Sequence, residues 1–300
     1  MKIKLNRAVI GLVGVAALTL SMAACGSQAN TASNTPAAGP SASSSVDAAL
    51  AAMVPAAIKS DGTISVGTDS TYAPSEFLDT DGKTVIGFDV DLFNAVAAKL
   101  GLKTTWTPAD FGTLVAAVQS GKYEIGVSSF TINKDREGQS LMISYFSAGT
   151  QWGGPKGSTL DPNNACGQHV AVQKNTVQVD DVTARSKACT TAGKKAITID
   201  PYEKQDDATA AVVSGKDAAM LADSPVVAYA VEKAPGLQLL GNVYDSAPYG
   251  YVVGKDQTAF ANAIKGAVQD LINDGTYTKI LTKWNVQAGA VTTSAVNPAV

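Results

Sequence analysis

The stretch Asp89-Val90-Asp91-Leu92-Phe93-Asn94-Ala95-Val96-Ala97-Ala98-Lys99-Leu100, followed by Gly101, reads as one amphipathic helix with a stop. Leu92, Phe93, Val96, Ala97 and Leu100 recur at helical spacing and form one apolar stripe, and Gly101 ends it. Residues 64–68 before it and 103–107 after it are short apolar runs with the composition of strands. Strand, helix and strand therefore alternate here, and the alternation continues outward. Residues 111–119 give a second helix, closed by Ser120-Gly121. Residues 125–127 give a short buried strand leading into Ser128-Ser129-Phe130-Thr131.

A second alternating set follows. Residues 169–173, 197–199 and 218–221 read as strands, and 177–192, 204–214 and 225–232 as helices. Two helices, 257–273 and 277–284, close the chain. Such alternation implies an α/β protein with mixed, mainly parallel sheets flanked by helices. The last helices need a core, and the first set of elements offers one. The expected organisation is a discontinuous lobe of residues 58–149 plus 249–290, a second lobe of 150–248, and a tail of 291–300. Crossings near 149–154 and 245–251 would form a two-stranded hinge, where glycines tolerate uncommon dihedrals.

The N-terminus has the layout of a secretory leader. Lys2, Lys4 and Arg7 precede an apolar run from Ala8 to Leu20 that is short for a bilayer span. Met22-Ala23-Ala24-Cys25-Gly26 resembles a bacterial lipobox, in which Cys25 receives lipid after residues 1–24 are removed. Residues 27–45, rich in Ser, Ala, Thr, Asn, Pro and Gly and free of charge, read as a tether. A helix-like patch over 46–58 precedes the folded part, so 25–57 form the lipidated linker.

The formal charge is −3, and three positive charges lie in the leader, so the remainder carries −6. A mildly acidic body does not suit nucleic acid. With 45% hydrophobic and 16% charged residues the chain can build two modest cores. Cys166 and Cys189 remain if Cys25 is lipidated. In an oxidising exterior they are expected to pair, at roughly 3 kcal/mol of stabilisation in the chain-entropy model, with two buried free thiols as the alternative. Two cysteines and one histidine fall short of a zinc set, so no metal and no cofactor are expected, and His169 is given a structural place at the start of a strand.

Several segments together carry a resemblance. They are Val66-Gly67-Thr68-Asp69 through Tyr72-Ala73-Pro74, Gly87-Phe88-Asp89-Val90-Asp91-Leu92, Leu100-Gly101 and Gln119-Ser120-Gly121-Lys122. Ser128-Ser129-Phe130-Thr131 with Arg136, Val170-Ala171-Val172-Gln173, Leu221-Ala222-Asp223-Ser224-Pro225, Asp274-Gly275-Thr276-Tyr277 and Lys283-Trp284 complete the set. In this order they resemble family 3 of the bacterial extracellular solute-binding proteins, which serve polar amino-acid ABC importers. The likeness covers nearly all of residues 62–287, and the cysteine pair is similar to the actinobacterial branch in its lipoprotein form. The resemblance implies a two-lobe, Venus-flytrap fold of the periplasmic-binding-protein kind and no catalysis. It also implies a monomer held by lipid at the outer face of the cell membrane, with an amino acid, a permease and its ATPase as partners.

The chemistry of a free amino acid fits independently. Arg136 offers a planar fork for a carboxylate, and Asp223, between a strand and a helix, stands at the sheet edge where α/β proteins bind ligands. Residue by residue, the resemblance gives the carboxylate to Arg136, Thr131, Ser129, Thr176 and Val177, and the ammonium to Asp223. It gives the ligand side chain to Asp69, Tyr72 and Phe111, with a polar or cationic side chain favoured. Asn175 stands where the family usually has Gly. An aromatic at Ser75 and an Asp-Pro-Tyr run near 145–147, frequent in the family, are missing.

Plainer roles exist for each. Arg136 lies in a charged run typical of a solvated face, Asp69 suits a turn, Asp223 and Thr176 suit helix caps, and Tyr72 and Phe111 suit a core. Other functions on such a fold are a sensor with the same pocket, a dehydratase-like enzyme, and a structural wall lipoprotein. The chain shows no Ser-His-Asp set and no phosphate loop, and Asp69 and Glu76 lack a proton-transfer partner in sequence.

Overall fold

The computed structural model describes residues 45–298. The leader, Cys25 and the tether up to residue 44 lie outside the described residues. Two short helices come first, α1 (Ala48–Ala52) and α2 (Ala56–Asp61), and Asp47 caps α1 by accepting from the N–H groups of Ala49 and Leu50. Strand β1 (Thr63–Thr68) opens the main sheet. Three short strands, β2 (Thr71–Tyr72), β3 (Glu76–Leu78) and β4 (Val85–Ile86), then make a small antiparallel sheet of their own.

Helix α3 (Phe88–Lys99) is the one read first in the sequence, with Leu92, Phe93, Val96 and Ala97 buried. β5 (Lys103–Pro108), a 3-10 turn Phe111–Thr113, α4 (Leu114–Gln119), β6 (Ile125–Thr131) and α5 (Lys134–Gln139) follow. The long strand β7 (Leu141–Pro155) then carries the chain into the second lobe. That lobe contains β8 (His169–Gln173), α6 (Val177–Thr191), β9 (Thr198–Tyr202), α7 (Gln205–Val213), β10 (Ala219–Asp223) and α8 (Ser224–Lys233). A second long strand, β11 (Leu237–Val253), returns to the first lobe, where α9 (Thr258–Asn273) and α10 (Thr276–Lys283) complete it.

The main sheet runs β5-β1-β6-β11-β7-β10-β8-β9. Outer pairs in each lobe are parallel, as helical crossovers require, and the pairs involving β7 and β11 are antiparallel. The pairing of β7 with β11 is broken by irregularities between Leu240 and Ala247, where the two strands pass between lobes.

One hydrophobic cluster, around Phe88, Phe93, Tyr145, Phe260 and Leu271, fills the first lobe, with a smaller one under α4. The second lobe has two smaller clusters, one around Trp152 and Val182, the other around Met220 and Val227. Cys166 and Cys189 are disulfide-bonded and tie the segment before β8 to the end of α6.

Three local expectations need correction. The strand expected to end at residue 127 continues to Thr131, so Ser128–Thr131 form its carboxyl end and do not follow it. The helix expected over 111–119 opens with a 3-10 turn. The strand expected over 197–199 occupies Thr198–Tyr202, which moves Asp200 and Tyr202 into the sheet. Among the described residues no helix is long and apolar enough to cross a membrane.

Candidate functional site

Parallel strands end in loops on one edge of a sheet, and the carboxyl ends of β1, β6, β8 and β10 face one another between the lobes. A slot lies there, lined by side chains of both lobes. Its lining includes Arg136, Thr131, Ser129, Thr176, Val177, Asp223, Asp69, Tyr72 and Phe111, so every side chain singled out for a ligand is brought to this one slot.

On the first lobe, Arg136 projects from α5. Its Nη1 donates to the Thr131 carbonyl at 2.7 Å and its Nη2 to the Asn175 carbonyl of the second lobe at 3.2 Å. The guanidinium lies 5.3 Å from the ring centre of Phe111 and 5.7 Å from that of Phe130, and these two rings stack. Burial draws its pKa down, while the Asp223 charge opposes that shift. Arg136 is thus no solvated surface charge, as the run around it alone would suggest; it keeps its proton and is held by neutral carbonyls and aromatic faces.

Asp69 is buried at the end of β1. Its Oδ1 accepts from the N–H and hydroxyl of Thr71, which is the turn-forming role, while its Oδ2 accepts from Phe111 N at 3.2 Å and Gln173 Nε2 at 2.8 Å. All four donors are neutral, and burial raises the carboxyl's pKa against their pull. Beneath it, Ser128 Oγ accepts from Asp69 N and donates to Glu76 Oε1. Ser129 sits at φ 46°, a strained value for a non-glycine residue, and its N–H and hydroxyl are both tied to Asp89 Oδ2. The carboxyl end of β6 is therefore fixed from below by two fully buried carboxyls, Glu76 and Asp89.

On the second lobe, Asp223 occupies the N-cap position of α8 but makes no capping hydrogen bond. Its Oδ2 accepts from Tyr72 OH of the first lobe at 2.9 Å and its Oδ1 from Gln178 Nε2 at 2.8 Å. Burial pushes its carboxyl up, and those hydrogen bonds and Arg136 pull it down. Thr176 is the N-cap residue of α6 without a side-chain cap, its hydroxyl donating to the Gln173 carbonyl instead. At the head of this helix the Val179 amide donates to the Thr176 carbonyl, the amides of Val177 and Gln178 precede the first i−4 acceptor, and the helix dipole makes that end positive. Asn175 takes the left-handed conformation at φ 63°, as the turn before α6 requires. Gly112 makes room for it: a Cβ there would come within 2.2 Å of the Asn175 amide nitrogen.

Three further residues belong to the slot; the sequence places Ser128 in a segment whose hydroxyls can face the ligand carboxylate, and gives Gln173 and Gln178 no ligand role. Ser128, Gln173 and Gln178 line it and are almost fully buried. Gln173 could have been found from its place as the last residue of a strand at the ligand edge, the same signal that marks Asp223. Gln178 carries only the weaker signal of a first-turn helix position. Nearby, Asp206, exposed at the start of α7, has its carboxyl pushed up to about 6, by desolvation first and then by the charge of Asp69.

Comparison with known proteins agrees with this arrangement. The family model described as bacterial extracellular solute-binding proteins, family 3, matches residues 64–287. The chain is 36% identical to the arginine-binding protein ArgT of Corynebacterium glutamicum over 97% of its own length and 96% of that protein. Among solved structures it is similar to an ancestral arginine-binding protein bound to arginine (32% identity, TM-score 0.69, covering 74% of this chain and 98% of that one). The same description bound to glutamine gives 31% identity, a TM-score of 0.69 and coverage of 75% and 98%. With its fold, its interlobe slot and this match over most of its length, the chain belongs to the bacterial extracellular solute-binding proteins of family 3, and is a binding protein, not an enzyme.

Proposed function

We propose that this chain captures a cationic α-amino acid, arginine foremost, outside the cell and delivers it to an ABC permease and its ATPase. The observation that carries this reading is the charge of the slot. It holds one cation, Arg136, and two carboxylates, Asp69 and Asp223. A zwitterion satisfies Arg136 with its carboxylate and Asp223 with its ammonium, which leaves Asp69 with neutral donors only. A buried carboxylate without a cation is costly, and a cationic ligand side chain removes that cost.

In this reading Arg136, Thr131, Ser129, Thr176 and Val177 bind the α-carboxylate, with the positive end of α6 opposite Arg136. Asp223 binds the ammonium. Asp69 and Gln173 bind the distal group between Tyr72 and Phe111. The lobes, residues 58–149 plus 249–290 against 150–248, close over the ligand about β7 and β11, because each buried charge finds its partner only when both jaws are present. Cys25 anchors the monomer through lipid after cleavage of the leader. The naming of ArgT as an arginine-binding protein supports the ligand class.

A second reading is glutamine. Asp69 Oδ2 already accepts an amide N–H from Gln173, and a similar arginine-binding protein has been solved with glutamine bound. Calorimetric titration with arginine, citrulline and glutamine separates the two. Arginine should bind tightest, and citrulline, its neutral isostere, should lose about tenfold or more, the equivalent of about 1.4 kcal/mol. Equal binding of arginine and citrulline would remove the cation from the proposal, and no binding of any amino acid would remove the pocket.

A further inference from the structure

The second lobe carries another cluster of ligating groups, away from the amino-acid slot. His169 opens β8, Asp200 lies on the neighbouring β9, and Asp217 precedes β10. Gln173, which lines the slot, is four strand residues from His169, about 13 Å at roughly 3.3 Å per residue. His169 Nδ1 lies 2.8 Å from Asp200 Oδ2, and one ligating atom from each of His169, Asp200 and Asp217 falls within 4.8 Å of the others. Asp217 is buried at 1% exposure. Its Oδ2 accepts from Tyr202 OH at 2.7 Å, and its Oδ1 is buried without a hydrogen-bond partner.

We propose that His169, Asp200 and Asp217 form a binding site for a divalent first-row transition ion such as zinc. An imidazole nitrogen with two carboxylate oxygens is a donor set such ions accept, with water completing the shell on the exposed His169 side. Bonds of about 2.0–2.2 Å hold ligand atoms roughly 3–3.5 Å apart, so small side-chain shifts close the present spacing. The ion would also give Asp217 Oδ1 the partner it lacks and separate two neighbouring negative charges. Lys216 is the competing cation. Its Nζ donates to Tyr202 OH at 2.8 Å, not to either carboxylate, and it neutralises one of two negative charges at most. Nothing in this inference depends on which amino acid the slot binds.

The test is calorimetric titration of zinc chloride into the purified full chain without a polyhistidine tag, after chelator treatment and dialysis, with melting curves alongside. One zinc per chain and a rise in Tm are expected. Since losing even an outer partner of a metal costs about 10–100-fold in affinity, His169→Gln and Asp200→Asn should each weaken zinc by at least about tenfold. Both should leave arginine affinity unchanged. These two residues are partly exposed, so their variants should fold, whereas Asp217→Asn alters a buried group. Absence of both heat and Tm shift up to about 1 mM zinc would overturn the site, because an ion that binds only the folded chain must stabilise it. So would undiminished binding in both variants, which would leave the cluster an ordinary network of charges.

Discussion

The two lobes solve the same folding problem with different means. In the first, thirty buried hydrophobic residues form one continuous cluster, drawn from α3, α9, α10 and the strands between them. In the second, the sheet divides ten buried hydrophobic residues on one side from eight on the other, where Tyr72 of the first lobe joins them. Small cores supply little surplus stability, and the Cys166–Cys189 bond falls in the lobe that needs it. The contrast extends to the slot. The first lobe presents ligand groups on a strand end underpinned by buried Glu76 and Asp89. The second presents Asp223 and a helix end, with neutral Gln178 as support.

The largest expected effects test whether both jaws grip the ligand. Arg136→Ala on the first lobe and Asp223→Asn on the second should each cost roughly 2–5 kcal/mol of amino-acid affinity, since each leaves a ligand charge buried and unpaired. Full affinity in Asp223→Asn, with loss only in Arg136→Ala, would reduce the second lobe to a passive cover. Next comes the staple. Replacing Cys166 and Cys189 together by Ala should lower stability by roughly 3 kcal/mol, read from denaturant unfolding. Hydrogen exchange should show the loss concentrated in β8, α6 and β9. An unchanged midpoint, or protection lost evenly across both lobes, would break the contrast.

A smaller effect is expected at Asp69. Asp69→Asn should cost arginine about 1.5–3 kcal/mol, the worth of hydrogen bonds to a charged group. Citrulline, whose side chain carries no charge, should lose much less. Equal losses for both would mean that Asp69 acts through the turn it makes with Thr71 and not through its charge.

Much of this was legible in the sequence because it is carried by periodicity or by charge. The stripe of α3, the glycine stops, and Arg136, Asp69 and Asp223 within ordered motifs all announce themselves. Strands β7 and β11 did not. Leu141–Pro155 is buried on nearly every residue and so lacks the alternation that marks a half-exposed strand. Leu237–Val253 changes from exposed to buried along its length as it passes between lobes. The strands β2 to β4, two or three residues each, are shorter than any periodic signal. Gln173 and Gln178 are neutral amides whose importance comes from the partners the fold gives them. His169, Asp200 and Asp217 meet only because β8, β9 and the head of β10 lie side by side.

The last prediction concerns the platform beneath Ser128 and Ser129, which has no counterpart in the second lobe. Glu76 Oε2 and Asp89 Oδ1 are buried and lack other partners. Burial, and then the charge of Asp89, holds the Glu76 carboxyl well above the usual carboxylate range, while burial pushes Asp89 up to about 6. Both carboxyls therefore hold their protons to higher pH than free carboxyls do, Glu76 the more strongly. A carboxyl that retains its proton only when folded stabilises the fold fully below its unfolded value, near 4.5 for Glu76, and loses that contribution as pH rises toward the folded value. Glu76→Gln keeps a donor toward Asp89 and an acceptor for Ser128 without any titration. At pH 4.5 the variant should match the natural chain within about 1 kcal/mol. As pH rises to about 7.5 its Tm should climb relative to the natural chain, because only the natural chain loses the contribution of the Glu76 proton. A Tm difference that stays flat or shrinks over that range would mean that Glu76 ionises inside the first lobe at an ordinary pKa, and that a charge, not a retained proton, lies beneath the end of β6.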